Sequence, residues 1–338
     1  MVQLHARFPL DIRRLYRRSQ PLVPKALGVF GSTALRLDGM ELAEAREHGA
    51  LALSLLDADH ASGEDGWAYP WDSQTRWSFY AADTPNVVAT VYGARPLAEA
   101  AEAWDHPAWA DRARGAAHWV LDTLLDPDGF FTYHNESRVL VHNANLLGAQ
   151  IVHALLDEDD VVRRAVELSL DDQQPDGSFP YGAGNKNLGF VDSFHSAYNL
   201  ECLARMIDVD SAVGDALRRG TEYWLDRFFL EDGTATLWPD RRWPEDAHAA
   251  GTAMTTLAML VRTGVIGRER LALVTQYALD RMLIGPHAVS RRHRFGRSRT
   301  TYMRWCDSHM AMGLAEAAAV LAGASEGASP STGTALTR

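Results

Sequence analysis

Apolar residues recur at three- and four-residue spacing through ten stretches of the chain, at about 41–58, 86–104, 108–125, 142–156, 159–172, 192–207, 211–229, 246–263, 267–284 and 305–322. That period lays an apolar stripe along a helix, so the pattern predicts an all-α chain of ten helices. One turn motif, Asp-Gly followed by aromatic residues, punctuates them: Asp65-Gly66-Trp67-Ala68-Tyr69, Asp128-Gly129-Phe130-Phe131-Thr132-Tyr133, Asp176-Gly177-Ser178-Phe179-Pro180-Tyr181 and a degenerate Asp232-Gly233-Thr234. The aspartates lie 63, 48 and 56 residues apart (128−65, 176−128, 232−176). Such a period holds two helices, which groups the ten into five hairpins. The segment before residue 40 is either an N-terminal extension or one more helix that completes a ring. The expected architecture is a single-domain α/α toroid of five to six helical hairpins over residues 1–322, followed by a disordered Gly-, Ser-, Ala- and Thr-rich tail over 323–338.

The connections are unequal. Long loops, at about 57–85, 126–141, 173–191, 230–245 and 285–304, alternate with returns of a few residues near 105, 157, 208 and 265. In antiparallel hairpins this gathers every long loop at one end of the toroid, where binding and chemistry usually reside.

The helices that follow the long loops begin with a repeated polar signature: His142-Asn143-Ala144-Asn145, Asp192-Ser193-Phe194-His195, Asp246-Ala247-His248 and Asp307-Ser308-His309. An Asp at a helix start is explained by capping of free backbone N–H groups and by the macrodipole. Capping does not explain the His or Asn that accompanies it at four successive helices. The signature therefore predicts a rim of proton carriers and hydrogen-bonding groups around one pocket. Proton transfer is expected from His195 with Asp192 orienting it, from His248 or Asp246, and from His142, with Tyr181 as a further candidate. Substrate contacts are expected from the ring faces of Trp67, Tyr69 and Tyr133, from Asn143, Asn145, Asp307 and His309, and from Arg304 with Trp305. For Phe131 and Phe179 the favoured role is stapling of the loops.

Composition narrows the chemistry. A formal charge of −11 disfavours a non-specific nucleic-acid binder. Arg291, Arg292, Arg294, Arg297, Arg299 and Arg304 crowd into one segment, which is a solvated loop or a site for an anionic small molecule or acidic glycan. No apolar run approaches the length of a membrane span, and Met1 to Arg18 has no apolar signal-peptide core, so the reading is cytoplasmic. Cys202 and Cys306 show no paired spacing. The His and Asp residues of the rim come from different helices without tight ligand spacing, so neither a metal nor another cofactor is expected. Dinucleotide, Walker and GxSxG motifs do not occur.

The segments Gly66-Trp67-Ala68-Tyr69-Pro70-Trp71-Asp72, His142 to Ala149, Gln173 to Tyr181, Val191 to His195, Phe228-Phe229-Leu230 with Asp232-Gly233, Asp246-Ala247-His248 and Arg304-Trp305 resemble, in order, those of the VpsJ-type polysaccharide biosynthesis proteins. The resemblance covers about residues 40 to 320 and departs at Cys306-Asp307-Ser308-His309. It implies a six-hairpin glycosidase-like toroid and a role near exopolysaccharide assembly. Gln173 to Phe179 also resembles the QW repeat of squalene and hopene cyclases, and Asp157-Glu158-Asp159-Asp160 matches their DxDD motif in letters. The acidic motif, however, falls about 20 Å from the rim at the far end of its helix, where an acidic turn is the better reading.

Three functions follow. The first is an enzyme acting on a glycan or glycosylated small molecule by hydrolysis, elimination or epimerisation; two carboxylates across the pocket suit hydrolysis, whereas His with Tyr beside a sugar acid, its charge neutralised by Arg304, suits proton abstraction. The others are a non-catalytic glycan-binding protein and an isoprenoid cyclase.

Overall fold

A computed structural model describes residues 21–59, 65–74, 78–298 and 300–323. The expected tail, beyond Gly323, and the N-terminal stretch read for a signal peptide lie outside these residues, as does Arg299. Eleven α-helices are present among the described residues: α1 Pro24–Asp38, α2 Ala45–Asp57, α3 Val87–Trp104, α4 Pro107–Leu124, α5 His142–Leu155, α6 Asp159–Asp171, α7 Ser193–Arg205, α8 Ser211–Phe228, α9 Ala247–Arg262, α10 Glu269–Arg281 and α11 Ser308–Ala322.

The odd-numbered helices form the inner ring. Each packs on the next, α1 on α3, then α5, α7, α9 and α11, and α11 returns to α1 to close the circle. The even-numbered helices lie outside, each against its inner partner. Sequence decides which is which. α5 and α9 bury Ala, Gly, Leu and Met on nearly every side, as a helix with neighbours all round must. α6 and α10 bury only a stripe, Val162, Ala165, Val166 and Ser169 in one and Leu271, Val274 and Ala278 in the other. Within the segment before residue 40, Pro24–Asp38 is thus the sixth inner helix.

Glycine sets the closest approach in the ring. A Cβ on Gly251 would lie 2.5 Å from the backbone of His309, and one on Gly313 would lie 2.4 Å from the carbonyl oxygen of Gly251. α9 and α11 consequently touch backbone to backbone, and His248 and His309 are brought side by side.

Three of the Asp-Gly turns share one geometry. Gly129, Gly177 and Gly233 have φ of 96°, 91° and 89°, a left-handed backbone that favours glycine. Their amides donate to the carbonyls of Asp126, Gln174 and Leu230, at 2.8, 2.8 and 3.1 Å. Asp65-Gly66 departs from this pattern, and Gly66 instead packs against the ring of Trp119. The long loops carry the short strands β1 (Ser73–Gln74) and β2 (Phe79–Tyr80), β3 (Thr236–Trp238) and β4 (Arg241–Asp246), β5 (Leu283–Ile284) and β6 (His287–Ala288), and β7 (Arg291–His293) and β8 (Gly296–Arg297). A four-stranded antiparallel sheet, β3-β4-β7-β8, joins the last two long loops. β4 runs directly into α9, so the sheet rises from the rim of the ring.

At the other end charged side chains line the lumen around a narrow hollow that reaches Tyr92, Tyr198 and His309. Arg36 pairs with Glu316 at 2.7 Å, Arg95 with Glu201 at 2.9 Å, and Arg205 with Glu201 at 3.5 Å, while Arg262 also pairs with Glu316. The inner helices thus enclose a lumen with a polar floor, and the loop-bearing end is its mouth. Asp159 and Asp160 stand in the first turn of the outer helix α6, with Asp160 paired to Arg163 at 2.8 Å, away from the lumen as the acidic-turn reading expected. No helix among the described residues is long and apolar enough to cross a membrane.

Candidate functional site

The mouth is built from the first turns of the inner helices. Asp192 is the N-cap of α7: its Oδ1 accepts the amide of His195 at 2.9 Å, and its Oδ2 lies 2.8 Å from Nδ1 of the same residue. One buried carboxylate therefore both starts the helix and fixes the imidazole, whose side chain is 22% exposed. The ring of Tyr181 meets His195 edge-on at 4.6 Å and stacks on Phe190 at 4.8 Å. Phe194 separates His195 from a second group, with ring centroids 4.3 Å from His195 and 4.4 Å from His248.

That second group is a pair of imidazoles. His248 and His309 have ring centroids 4.5 Å apart and share one hydroxyl, Tyr198 Oη, which lies 2.6 Å from Nε2 of His248 and 3.5 Å from Nε2 of His309. Burial pushes both imidazoles well below the usual histidine range, and the nearby Lys25 and Arg304 push the same way; for His248 the adjacent His309 adds to this. Both are therefore neutral near pH 7. Burial also raises the phenol of Tyr198, which stays protonated.

Two cations complete the cluster. Lys25, in the first turn of α1, sets its Nζ 3.4 Å from Tyr198 Oη and 4.4 Å from the ring centroid of Tyr92. Burial lowers this amine to about 7, Arg304 adds to the shift, and Glu201 opposes it. The guanidinium of Arg304 lies over Tyr69, Trp71 and Trp305, at 4.5, 4.9 and 4.4 Å from their centroids. It stands on a short π-helix, Met303–Asp307, that leads into α11. Beside the mouth, Ser78, Tyr80, Tyr133, His134 and Tyr181 border a hollow of about 180 Å³, wide enough for polar ligand groups to meet ring faces.

Several expected site residues are buried in packing or engaged by the fold. His142 is fully buried between α5 and α6, its Nδ1 3.1 Å from Ser169 Oγ and its Nε2 3.4 Å from Asp172. Asn145 is also structural: its Oδ1 accepts the amide of Phe131 at 2.9 Å, and its Nδ2 donates to the carbonyl of Ala165 at 2.7 Å. The cause is helical phase. Asp192 caps α7, whereas His142 is already the first helical residue of α5, and one residue of offset turns a side chain about 100° around the axis. Asn143, also buried, holds the second helical position of α5, the position that His248 and His309 hold in α9 and α11. Asp246 caps His248 and Ala249 and accepts Arg291 Nε at 3.0 Å, so its carboxylate is engaged. Asp307 accepts the amide of Ala288 at 2.8 Å and lies 3.3 Å from His287 Nδ1. Trp67, 1% exposed, is core rather than lining. Arg291 and Arg292 pair with Asp246 and Glu245, whereas Arg304 stands over the stacked rings.

Sequence reasoning missed Lys25, Tyr198 and Tyr92. Tyr198 lies one turn beyond His195 on the same face, a spacing that marks it in retrospect. Lys25 offered a different signal, a cation in the first turn of a helix, where the macrodipole disfavours it. Among the described residues no three His, Cys, Asp or Glu side chains converge to hold a metal ion.

Neutral buried imidazoles make stability sensitive to acid. Burial also lowers His142 to about 4 against the pull of Asp172. Below the unfolded value near 6.5 the unfolded chain binds more protons, so stability falls as pH drops from there toward the folded values, by up to about 1.4 kcal/mol per pH unit for each imidazole. Urea unfolding at pH 7 and pH 5 is expected to differ by at least about 2 kcal/mol; equal stabilities would show that these rings are not held neutral.

No protein-family model and no curated protein sequence matches this chain. Solved structures do match it in fold. A cellobiose 2-epimerase from Bacillus thermoamylovorans superposes with a TM-score of 0.65 at 11% identity, over 87% of this chain and 86% of that one. An unsaturated glucuronyl hydrolase specific for heparin gives 0.64 at 14% identity, over 88% and 86%. A glycoside hydrolase family 76 mannosidase from Bacteroides thetaiotaomicron gives 0.62 at 12%, over 94% and 92%. The chain has the α/α toroid fold of these structures.

Proposed function

We propose that the protein is a carbohydrate epimerase that removes and returns a proton at the carbon beside the carbonyl of an open-chain reducing sugar. One observation carries the reading: beneath the loop-bearing end imidazoles stand in two sets, His195 with Asp192 and the buried His248 with His309, on either side of Phe194. Inversion at carbon needs a base and an acid on different sides of the substrate, and a neutral imidazole serves as the first while a protonated one serves as the second. Arg304 supplies the positive charge that an enediolate oxygen requires. Tyr198 holds His248 and relays protons between it and His309. Tyr80, Tyr133 and Tyr181, which border the hollow beside the mouth, meet the sugar, and Trp305 with Arg304 favours an anionic one.

Hydrolysis fits less well. It calls for two carboxylates facing each other across the bond, and Asp192, Asp246 and Asp307 are committed to helix caps, an arginine and a loop. The toroid is shared with a cellobiose 2-epimerase and a sugar epimerase from a ruminal bacterium, and equally with glycoside hydrolases, so the choice rests on the imidazoles. A place in exopolysaccharide assembly, by the VpsJ-type resemblance, and a cytoplasmic setting, which the unpaired Cys202 and Cys306 suit, belong to this reading.

The test is product analysis by NMR after incubation with glucose, mannose, cellobiose and their uronic acid counterparts. A C2 epimer with its glycosidic bond intact is expected. Release of a sugar or formation of an unsaturated product in its place would overturn the reading.

A further inference from the structure

Lys25 is the one group in the cluster that proton transfer between imidazoles does not require. Of the 33 basic residues two are lysines, Lys25 and Lys186, and the other 31 are arginines. The chain meets its need for positive charge with arginine in the lumen floor, in the sheet and over the stacked rings of the mouth, yet it carries an amine inside the imidazole cluster. The two side chains differ in one property that matters there. A guanidinium keeps its proton in proteins, whereas an ammonium can lose it and become a nucleophile.

The surroundings of Lys25 favour that loss. The residue is 4% exposed, sits at the end of a helix that repels cations, and forms no ion pair with a carboxylate among the described residues. Its contacts are the Tyr198 hydroxyl at 3.4 Å and the faces of Tyr92 and Tyr198, with centroids at 4.4 and 5.2 Å. A desolvated lysine beside another cation is the arrangement that activates an amine toward carbonyl carbon.

We propose that Lys25 forms an imine with C1 of the open-chain sugar whose C2 proton the imidazoles exchange, an inference that rests on the epimerase reading. The Nζ lone pair adds to the C1 carbonyl carbon, and the carbonyl oxygen takes up protons and leaves as water. The resulting C1=N iminium keeps one hydrogen and a positive charge on nitrogen. An imidazole then takes the C2 proton, and the C–H electron pair becomes the C1=C2 bond of an enamine. Return of a proton to the other face of C2 restores the iminium, and addition of water releases the epimer and the free amine. No oxidant or reductant enters. The Tyr198 hydroxyl, which touches Nζ and His248, passes protons between the nitrogen and the imidazole pair.

The test uses the full chain with glucose, mannose and cellobiose, each with and without cyanoborohydride, followed by peptide mass spectrometry. Reduction converts an iminium to a stable secondary amine, and Lys186 reports non-specific modification. Lys25 is expected to be modified about ten-fold or more over Lys186, with activity lost in proportion. Lys25→Arg, which keeps the charge, and Lys25→Met are each expected to lose C2 exchange about 1,000-fold. Lys25→Met removes an unpaired buried charge and is expected to melt no lower than the parent; should it fail to fold, trapping on the parent decides. Exchange by the parent without modification of Lys25, or exchange retained within about ten-fold by Lys25→Arg, would overturn the imine and leave the imidazole reading standing. Absence of exchange with every sugar would remove both.

Discussion

His248→Gln is expected to lower kcat about 1,000-fold with a small change in KM. Gln fills a similar volume and can still hydrogen-bond Tyr198, so the packing around α9 and α11 survives while the proton carrier is lost. His309→Gln is expected to act in the same direction through the shared hydroxyl. The double variant should fall little below the worse single one, because the two rings work through Tyr198 Oη as a unit. Full additivity, or a loss confined to KM, would make the pair a binding element. The loss should be separable from folding by thermal melts: removing a buried titratable group from a neutral pocket should also flatten the dependence of stability on acid described above.

Trp67→Ala is expected to do the opposite, destabilising the fold by about 3–5 kcal/mol while leaving the folded fraction catalytically competent. The indole is where α2, α3 and α4 meet. Its Nε1 donates to the carbonyl of Leu56 at 3.0 Å, its amide donates to Thr90 Oγ1 at 3.0 Å, and the Arg112 guanidinium lies 4.0 Å over the ring. A Cβ on Gly93 would already stand 2.9 Å from the ring, so no space exists for a sugar. Truncation removes a large apolar surface and strands a carbonyl. Urea unfolding measures the loss, and a selective rise in KM without instability would return Trp67 to the substrate.

These two residues show what a sequence reveals and what it withholds. Period and loop length were sufficient for the toroid, since short returns and long loops must segregate to opposite ends and the Asp-Gly turns recur with one backbone geometry. The element that closes the ring, α1, could be anticipated only as an option, because no Asp-Gly turn precedes it. Within the site, Asp192, His195, His248 and His309 share an axial level that helix starts betray. Azimuth is another matter. His142 occupies the level of Asp192 but starts its helix one position differently, and it faces Ser169 and Asp172 instead of the lumen. The carboxylates at 246 and 307 sit at the mouth too, yet backbone amides and loop partners consume them. Lys25 and Tyr92 belong to helices whose starts lack the polar signature, so only the closure of α11 on α1 unites them with the imidazoles.

The central claim is that carbon-bound hydrogen passes through the imidazoles of the mouth. Incubation in deuterium oxide with reducing sugars, followed by proton NMR, measures this directly. The expected result is deuterium at C2 of both substrate and product, at a rate that His248→Gln abolishes while the stability of that variant is unchanged. Product formed with the C2 proton fully retained, or exchange undiminished in His248→Gln, would contradict it.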